Sequence, residues 1–242
     1  MFEKSIIAIH HKIQNLIKTW VLPFTCIFCR NLSDHKQDLC SACLEDLPII
    51  TQSCPRCANK THSGLLCGNC LKNPPPFSSA YALFAYEQPV TTMILNLKFK
   101  QQLAYGRILG ELLAEKIKAD WYRSKSLPDL IMPVPLHEQR LQERGFNQAL
   151  ELARPLAAAL HLNIDTRAVR RIKNTPAQMK LAAASRQSNM KNAFIVDKQL
   201  NGKTIAVLDD VMTTGSTVRE LSRVLLQQGK AKGVEVWCCA RA

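Results

Sequence analysis

The alternation of apolar and polar positions after residue 80 predicts strands and helices in turn. Short apolar runs such as YALFAYE, DLIMPVPL, TIAVLDD and GVEVWCCA have the length and composition of buried strands. Between them, apolar residues recur at helical spacing over residues 89–121, 145–162 and 217–228. Strands that alternate with helices are typical of a mainly parallel sheet covered by helices on both faces. We therefore expect an α/β domain over residues 80–242.

Prolines mark two interruptions in this pattern. Pro155 lies inside the apolar rhythm of residues 145–162 and should kink that helix or end its first part. The segment KNPPPFSS, residues 72–79, has the composition of a stiff linker. It predicts a boundary between a cysteine-rich module at residues 23–72 and the α/β domain.

Residues 1–22 carry an apolar stripe at helical spacing and predict an amphipathic helix. We expect it to pack on its own domain, although a membrane surface or a partner would also fit such a stripe. The chain contains no run of about 18 apolar residues that could span a membrane. Its first residues lack the apolar core and the cleavage site of a signal peptide. The expected location is therefore the cytoplasm.

Eight of the ten cysteines form four CxxC pairs within the first 70 residues. Two thiolates at this spacing can bind one tetrahedral Zn²⁺ at about 2.3 Å each, and a reducing compartment favours metal over disulfides. The spacing predicts structural zinc, most simply one ion on each consecutive group of four. The ligands would be Cys26, Cys29, Cys40 and Cys43 for one ion, and Cys54, Cys57, Cys67 and Cys70 for the other.

Other arrangements of the cysteines also fit the spacing. The pairs could interleave, or one zinc alone could be bound while other pairs stay free. His35 or His62 could replace a thiolate, although both are expected to be surface residues. Cys238 and Cys239 lie in the apolar run VEVWCCA and are expected in a buried strand without a further role.

The chain has a formal net charge of +13, and the excess is uneven. Residues 123–191 contain twelve basic and five acidic residues, whereas residues 1–70 contain seven and five. A basic face attracts nucleic acid or a polyphosphate ligand. A solvated basic surface without a partner explains the same charge equally well.

The segment TIAVLDDVMTTGSTVREL places Asp209 and Asp210 between an apolar strand and a turn rich in Thr, Gly and Ser. Ligands of parallel α/β sheets bind at the carboxyl ends of strands, and a helix N-terminus there suits a phosphate. Gly215 allows the backbone to approach the ligand closely. Two carboxylates can accept hydrogen bonds from vicinal hydroxyls. These features together predict a site for a ribose 5-phosphate.

The segment DDVMTTGST resembles the phosphoribosyl pyrophosphate (PRPP) loop of type I phosphoribosyltransferases. The resemblance implies that Asp209 and Asp210 are the catalytic pair that holds the ribose 2- and 3-hydroxyls. The turn that follows would hold the 5-phosphate. The residues that the resemblance assigns to PRPP here are Val211, Met212, Thr213, Thr214, Gly215, Ser216 and Thr217.

The segment VPLHEQRLQERGFNQALELA, residues 134–153, resembles the ComF family of competence proteins. The resemblance extends over nearly the whole chain, including the cysteine pairs, LKFKQQ, the NTPAQ segment and the PRPP loop. It implies a type I phosphoribosyltransferase-like fold preceded by a double zinc ribbon. PVPLH would then be the pyrophosphate loop, and Arg140 and Arg144 would contact pyrophosphate. Lys173 and Arg186 would lie in a mobile flap.

The ComF resemblance implies a protein that binds PRPP with Mg²⁺ and acts on incoming single-stranded DNA during natural transformation. Proteins of the competence machinery, such as a helicase, are the expected partners. The basic segment and the zinc module fit a nucleic-acid ligand. The alternative is an active phosphoribosyltransferase in nucleotide or cofactor salvage, in which a nitrogen nucleophile displaces pyrophosphate. A zinc-ribbon adaptor for a protein partner would leave the PRPP loop unexplained.

Overall fold

The structure is a computed structural model that describes residues 23–34, 37–174 and 190–242. The chain divides into two compact units between Leu47 and Pro48. The first unit contains the first four cysteines and the short helix α1 (Ser41–Glu45). The helix expected over residues 1–22 lies outside the described residues, as do His35 and Arg186.

The second unit alternates strands with helices along the chain. Its helices are α2 (Gly68–Lys72), α3 (Val90–Lys100), α4 (Leu103–Lys116), α5 (Glu138–Arg144), α6 (Gln148–Leu160) and α7 (Ser216–Gln227). A π-helical turn, Ile117–Trp121, continues α4. Its strands are β1 (Ser79–Ala85), β2 (Leu130–Pro133), β3 (Asn163–Ile164), β4 (Val169–Arg171), β5 (Phe194–Val196), β6 (Thr204–Met212) and β7 (Gly233–Arg241).

Five of these strands form one parallel sheet in the order β1-β7-β6-β2-β3. Strands β4 and β5 pair separately as an antiparallel ribbon. In the central strand β6, Ile205 and Val207 join one core cluster with residues of α7, such as Val224. The intervening Ala206 and Leu208 are fully buried on the opposite face, where α4 and α6 pack. The predicted mainly parallel sheet with helices on both faces is therefore confirmed.

Pro155 does not end its helix, so that part of the expectation was wrong. Helix α6 runs unbroken from Gln148 to Leu160 with Pro155 inside it. The reason is the close packing of α6 against α4 at Gly110. A Cβ atom at Gly110 would lie 2.6 Å from Cγ of Pro155 and 2.5 Å from the carbonyl oxygen of Leu152. Burial of this contact offsets the hydrogen bond that proline removes from the helix.

The proline-rich segment 72–79 is attached to the core of the second unit. Phe77 is 1% exposed, and the N–H of Ser78 donates to the carbonyl oxygen of Val234 at 2.9 Å. The second group of four cysteines precedes this segment and belongs to the same unit as the sheet. Across the part of the chain that the structure describes, no helix combines the length and apolar character needed to cross a membrane.

Candidate functional site: a crevice between β6 and β2

The connections that follow β6 and β2 leave the sheet in opposite directions. Strand β6 leads through α7 to β7 on one side, and β2 leads through α5 and α6 to β3 on the other. Helices α7 and α6 cover opposite faces of the sheet. A crevice therefore opens at the carboxyl ends of these two neighbouring strands, which is where open α/β sheets bind ligands.

Asp209 and Asp210 lie on this crevice because β6 extends beyond β2. On its β7 side β6 is paired as far as Met212, but on its β2 side pairing ends at Pro133 and Leu208. The N–H of Val134 then donates to the carbonyl oxygen of Leu208 at 2.8 Å. The edge of β6 at the two aspartates consequently faces the loop that follows β2. Asp209 is half-buried and Asp210 is buried.

Lys98, near the C-terminal end of α3, forms an ion pair with the Oδ2 atom of Asp210. Both side chains are largely withdrawn from solvent, at 22% and 12% exposed. Burial disfavours the charged ammonium, but the charge and hydrogen bond of Asp210 outweigh burial and raise the pKa of Lys98. The sequence indicated LKFKQQ only as part of the family resemblance, so this site residue was missed.

Asp209, the other carboxylate of the pair, has a raised pKa. Burial, together with the adjacent charge of Asp210, raises the pKa of Asp209 to about 7. The N–H of Asp210 donates to Oδ1 of Asp209 at 3.0 Å, and the N–H of Val211 donates to Oδ1 of Asp210 at 2.9 Å. These backbone bonds orient both carboxylates, and the raised pKa of Asp209 means that its carboxyl changes charge near neutral pH.

The turn after β6 exposes its hydroxyls to solvent. Gly215 has φ 75°, a left-handed conformation that favours glycine, and it forms the N-cap of α7. The side chain of Thr214 donates to Oγ of Ser216 at 3.1 Å and accepts from the N–H of Ser216 at 3.4 Å. Thr213 and Thr214 are exposed. The turn thus combines exposed hydroxyl-bearing side chains with the positive end of a twelve-residue helix.

The residues assigned to PRPP in this segment do not all face the crevice. The Met212 side chain is 2% exposed and packs in the core cluster beneath α7. Its carbonyl oxygen accepts hydrogen bonds from the N–H of Ala242 at 3.1 Å and from Arg241 at 3.0 Å. Met212 therefore supports the turn from behind.

The loop after β2 is held in place by the residues that begin the next two helices. Asn147 caps α6 by accepting from the N–H of Ala149 at 3.0 Å, and its amide donates to the carbonyl oxygen of Val134 at 3.0 Å. Nδ1 of His137 accepts from the N–H of Gln139 at 3.3 Å at the start of α5. The amide of Asn147 therefore joins the RGFNQ segment to the PVPLH loop.

Three guanidinium groups lie close enough to affect one another at this loop. Burial lowers the pKa of Arg144, with Asp210 opposing and Arg140 reinforcing the change. Burial also lowers the pKa of Arg171 on β4, which likewise interacts with Arg140 and with Asp209. The structure thus brings the predicted Arg140 and Arg144 toward the aspartates. It adds Arg171, which the sequence showed only as one member of a basic run.

Lys173, predicted in the flap, donates from Nζ to the carbonyl oxygen of Lys191 at 2.6 Å. This bond joins the described parts of the chain on either side of residues 175–189. That segment, with the predicted Arg186, lies outside the described residues.

The eight paired cysteines form two groups of four, each consecutive in sequence. One group is Cys26, Cys29, Cys40 and Cys43, and the other is Cys54, Cys57, Cys67 and Cys70. Within each group the sulfur atoms lie within 4.8 Å of one another, and the interleaved arrangement is not formed. The Sγ atoms of Cys29 and Cys40, and those of Cys57 and Cys67, are 3.6 Å apart. Four thiolates at about 2.3 Å from Zn²⁺ have nearly this separation, so both groups fit zinc.

The second cysteine group supports the turn that follows β6. Nε of Arg241 donates to the carbonyl oxygen of Cys57 at 3.3 Å, while Nη1 donates to Met212 at 3.0 Å and also to Thr213. Arg219 of α7 donates to the carbonyl oxygen of Asn73 at 3.2 Å. A small cavity of about 50 Å³ separates the two parts. The second cysteine group and the turn after β6 are consequently joined by hydrogen bonds through Arg241.

Known proteins match both parts of the chain. Residues 17–71 match the double zinc ribbon domain. The DNA utilization protein YhgH of Escherichia coli K12 is 38% identical over 91% of this chain and 98% of its own length. Competence protein F of Haemophilus influenzae is 36% identical over 90% of this chain and 97% of its own length. The chain belongs to the ComF family. A further ComF-family relative, competence protein ComFC of Bacillus subtilis, is 27% identical over 85% of each chain.

Solved structures with low similarity to this ComF-family chain include a PRPP amidotransferase and phosphoribosyltransferases. Glutamine PRPP amidotransferase of B. subtilis is 18% identical over 55% of this chain and 25% of its own, with a TM-score of 0.36. Hypoxanthine phosphoribosyltransferase of Staphylococcus aureus is 15% identical over 55% of this chain and 62% of its own, with a TM-score of 0.35. The fold described above rests on the strand order and packing of the chain itself.

Proposed function

We propose that this chain binds PRPP with Mg²⁺ in the crevice between β6 and β2 and acts on single-stranded DNA taken up during natural transformation. The expected compartment is the cytoplasm. One observation carries the proposal: two aspartates, a hydroxyl-rich turn and four cationic side chains meet at one crevice. The cations are Lys98, Arg140, Arg144 and Arg171.

Each part of the crevice suits a different part of PRPP. The carboxylates of Asp209 and Asp210 accept hydrogen bonds from the two ribose hydroxyls. The turn at Thr213–Thr217 donates hydroxyl and backbone N–H groups to the 5-phosphate. The three guanidinium groups offer planar, charged donors to pyrophosphate oxygens. Because the cations outnumber the carboxylates, the crevice favours a polyanion.

The donor set also fits Mg²⁺, because this ion is usually bound by one or two carboxylates together with substrate phosphates. Asp209 and Asp210 are the carboxylates available, and both are already oriented by backbone N–H groups. When bound, the ion supplies positive charge that neutralises pyrophosphate. The protein's own task is then to orient the ribose and to hold the 5-phosphate at the start of α7.

The two cysteine groups are proposed to hold one structural zinc each. Burial raises the pKa of the Cys54 thiol, but backbone N–H groups, first that of Cys67, outweigh burial and bring the pKa to about 7. The N–H of Cys67 lies 3.4 Å from Sγ of Cys54. Thiolates stabilised in this way suit a closed zinc site, which orders a module too small to build its own apolar core.

A nucleic-acid ligand is supported by charge and by relationship. The relatives carry the names DNA utilization protein and competence protein. The net charge of +13 and the basic segment at residues 123–191 provide the electrostatic attraction that single-stranded DNA requires. Competence proteins such as a helicase are the expected partners at this step.

The proposal is tested by replacing competence protein F of H. influenzae with this chain and scoring transformation by chromosomal DNA. We expect the wild type to restore transformation and the variant Asp209→Asn/Asp210→Asn to fail. The control is Asp120→Asn, because Asp120 is a solvent-exposed partner of Lys116 on the π-helical turn. All variants are checked for equal protein level and zinc content.

Transformation that is equal in the aspartate variant and the wild type would contradict a role for the crevice in DNA uptake. The purified chain should also be assayed for pyrophosphate release from PRPP with each nucleobase. Release that depends on one base, with no restoration of transformation, would replace the proposal by the salvage transferase.

A further inference from the structure

Phe99 is an aromatic side chain left in solvent beside the crevice. It is 65% exposed, and among the residues that the structure describes it is the one aromatic residue in the set of exposed large apolar side chains. Its neighbours on α3 are anchored, because Leu97 is fully buried and Lys98 is paired with Asp210. The ring is thus presented outward by a helix end that is fixed on its inner side.

The shape of the end of α3 and the charges near it indicate which kind of ligand the Phe99 ring can bind. Gln101 ends the helix in a left-handed conformation at φ 54°, with its N–H bonded to the carbonyl oxygen of Asn96. Residues 88–110 contain three basic residues, Lys98, Lys100 and Arg107, and no acidic one. An exposed ring in a segment with only positive charge matches a ligand that combines flat apolar groups with negative charge.

The guanidinium of Arg144 extends this surface toward the ribose-phosphate crevice. Its Cζ atom lies 5.6 Å from the centroid of the Phe99 ring, within the range of a cation–π contact. The same guanidinium interacts with the charge of Asp210. Arg144 therefore packs on the exposed ring and lies within the electrostatic range of Asp210, so a base on Phe99 would lie near the crevice.

We propose that Phe99 and Arg144 form a stacking surface for a nucleobase of single-stranded DNA, with Lys100 beside it for the adjacent phosphate. Aromatic rings next to cations bind single strands in this way, because every base has a stacking face and every nucleotide has a charge. The inference rests on the proposed function, since it assumes that the chain binds single-stranded DNA. It adds a contact surface for the DNA strand beside the PRPP crevice.

The test is the fluorescence anisotropy of a labelled oligothymidylate titrated with the zinc-loaded full chain. Loss of one stacked base weakens binding by a factor between about five and a hundred, and this loss is expected for Phe99→Ala. Phe99→Trp should bind within about twofold of the wild type. Its indole emission should be quenched when the oligonucleotide is added. Leu65→Ala is the matched control, because Leu65 is 68% exposed but belongs to the second CxxC module.

Each variant is also titrated with PRPP and Mg²⁺, which separates this inference from the proposed function. Unchanged PRPP affinity with weakened DNA binding in Phe99→Ala supports the stacking surface. Wild-type DNA affinity in Phe99→Ala would overturn the inference alone. Loss of both ligands would make Phe99 a support of the crevice and would also overturn it. Absence of DNA binding in the wild type would remove the DNA part of the proposed function and the inference with it.

Discussion

Arg241 donates a hydrogen bond from Nε to the carbonyl oxygen of Cys57, at 3.3 Å. The same guanidinium donates to the carbonyl oxygens of Met212 and Thr213, at the start of the turn after β6. One side chain on β7 thus joins the second cysteine group to the turn proposed to hold the 5-phosphate. The second cysteine group is therefore part of the frame of the crevice between β6 and β2.

Arg241→Ala is expected to weaken PRPP binding by about tenfold, because three carbonyl oxygens lose a charged donor that orients the turn. The measurement is calorimetric titration of PRPP with Mg²⁺ into the zinc-loaded protein. Arg123→Ala is the control, because Arg123 is an exposed arginine on the surface after the π-helical turn. Equal affinity in Arg241→Ala and the wild type would show that the turn holds its shape without this link.

The two cysteine groups should differ in their effect on PRPP. Cys57→Ser should lower the zinc content from two to one per chain and also weaken PRPP binding, because Cys57 carries the carbonyl oxygen that Arg241 binds. Cys29→Ser should lower the zinc content equally and leave PRPP affinity unchanged, since Cys29 lies in the other compact unit. Zinc is measured by metal analysis, and PRPP by calorimetry. An equal effect of both variants on PRPP would contradict this division.

The ion pair of Lys98 with Asp210 should contribute to stability as well as to binding. Lys98→Met leaves the buried carboxylate of Asp210 without its partner and should lower the free energy of unfolding by about 3 kcal/mol. The double variant Lys98→Met/Asp210→Asn should be less destabilised than the sum of the single variants, by at least about 1 kcal/mol. Urea unfolding of the four proteins measures this coupling. Additive effects would mean that the pair contributes nothing beyond its separate side chains.

Asp209 predicts a pH dependence with a definite sign. Its pKa is raised to about 7 in the folded protein, well above the value of about 3.9 for an unfolded aspartate. The folded state therefore retains a proton that the unfolded state has released, so stability falls as pH rises from about 4 to about 7. Asp209→Asn keeps an uncharged group and should remove this fall. The variant should consequently gain stability relative to the wild type as the pH rises from about 4 to about 7, and the difference should stay constant above that.

This prediction is checked by urea unfolding of the wild type and Asp209→Asn at matched pH values. All other ionisable side chains are common to both proteins, so the difference between the two curves reports on Asp209. A difference that is constant with pH would show that the carboxyl is ionised throughout.

Local patterns predicted the parts of the site that are contiguous in the chain. The strand, the aspartate pair, the glycine turn and helix α7 follow one another within residues 204–227, so spacing alone places them. The consecutive cysteine groups were one of several arrangements that the spacing allowed, and the sulfur positions decide between them. Arg140 and Arg144 could be assigned because the segment around them resembles a family loop.

Contacts made across the fold could not be predicted in the same way. Lys98 lies on α3, and four strands separate α3 from β6 along the chain. No local sequence pattern therefore signals its pairing with Asp210. Arg171 interacts with Asp209 only because the β4–β5 ribbon lies near the loop after β2, where the backbones of His137 and Arg171 bridge. Pro155 stays inside a helix because Gly110 on α4 makes room for it. In each case tertiary packing determines the outcome.

The measurement that tests the central claim most directly is calorimetric titration of PRPP with Mg²⁺ into the wild type, Asp209→Asn/Asp210→Asn and Asp120→Asn. If the aspartates accept hydrogen bonds from the ribose hydroxyls, the double variant should bind at least about tenfold more weakly. Asparagine keeps one acceptor oxygen but loses the charge, and a hydrogen bond to a charged group contributes about 1 kcal/mol more than a neutral one. Asp120→Asn should bind like the wild type. If the aspartates were only surface charges, neutralising them would leave binding of this polyanion unchanged or stronger. That result, or no binding by the wild type, would contradict the account.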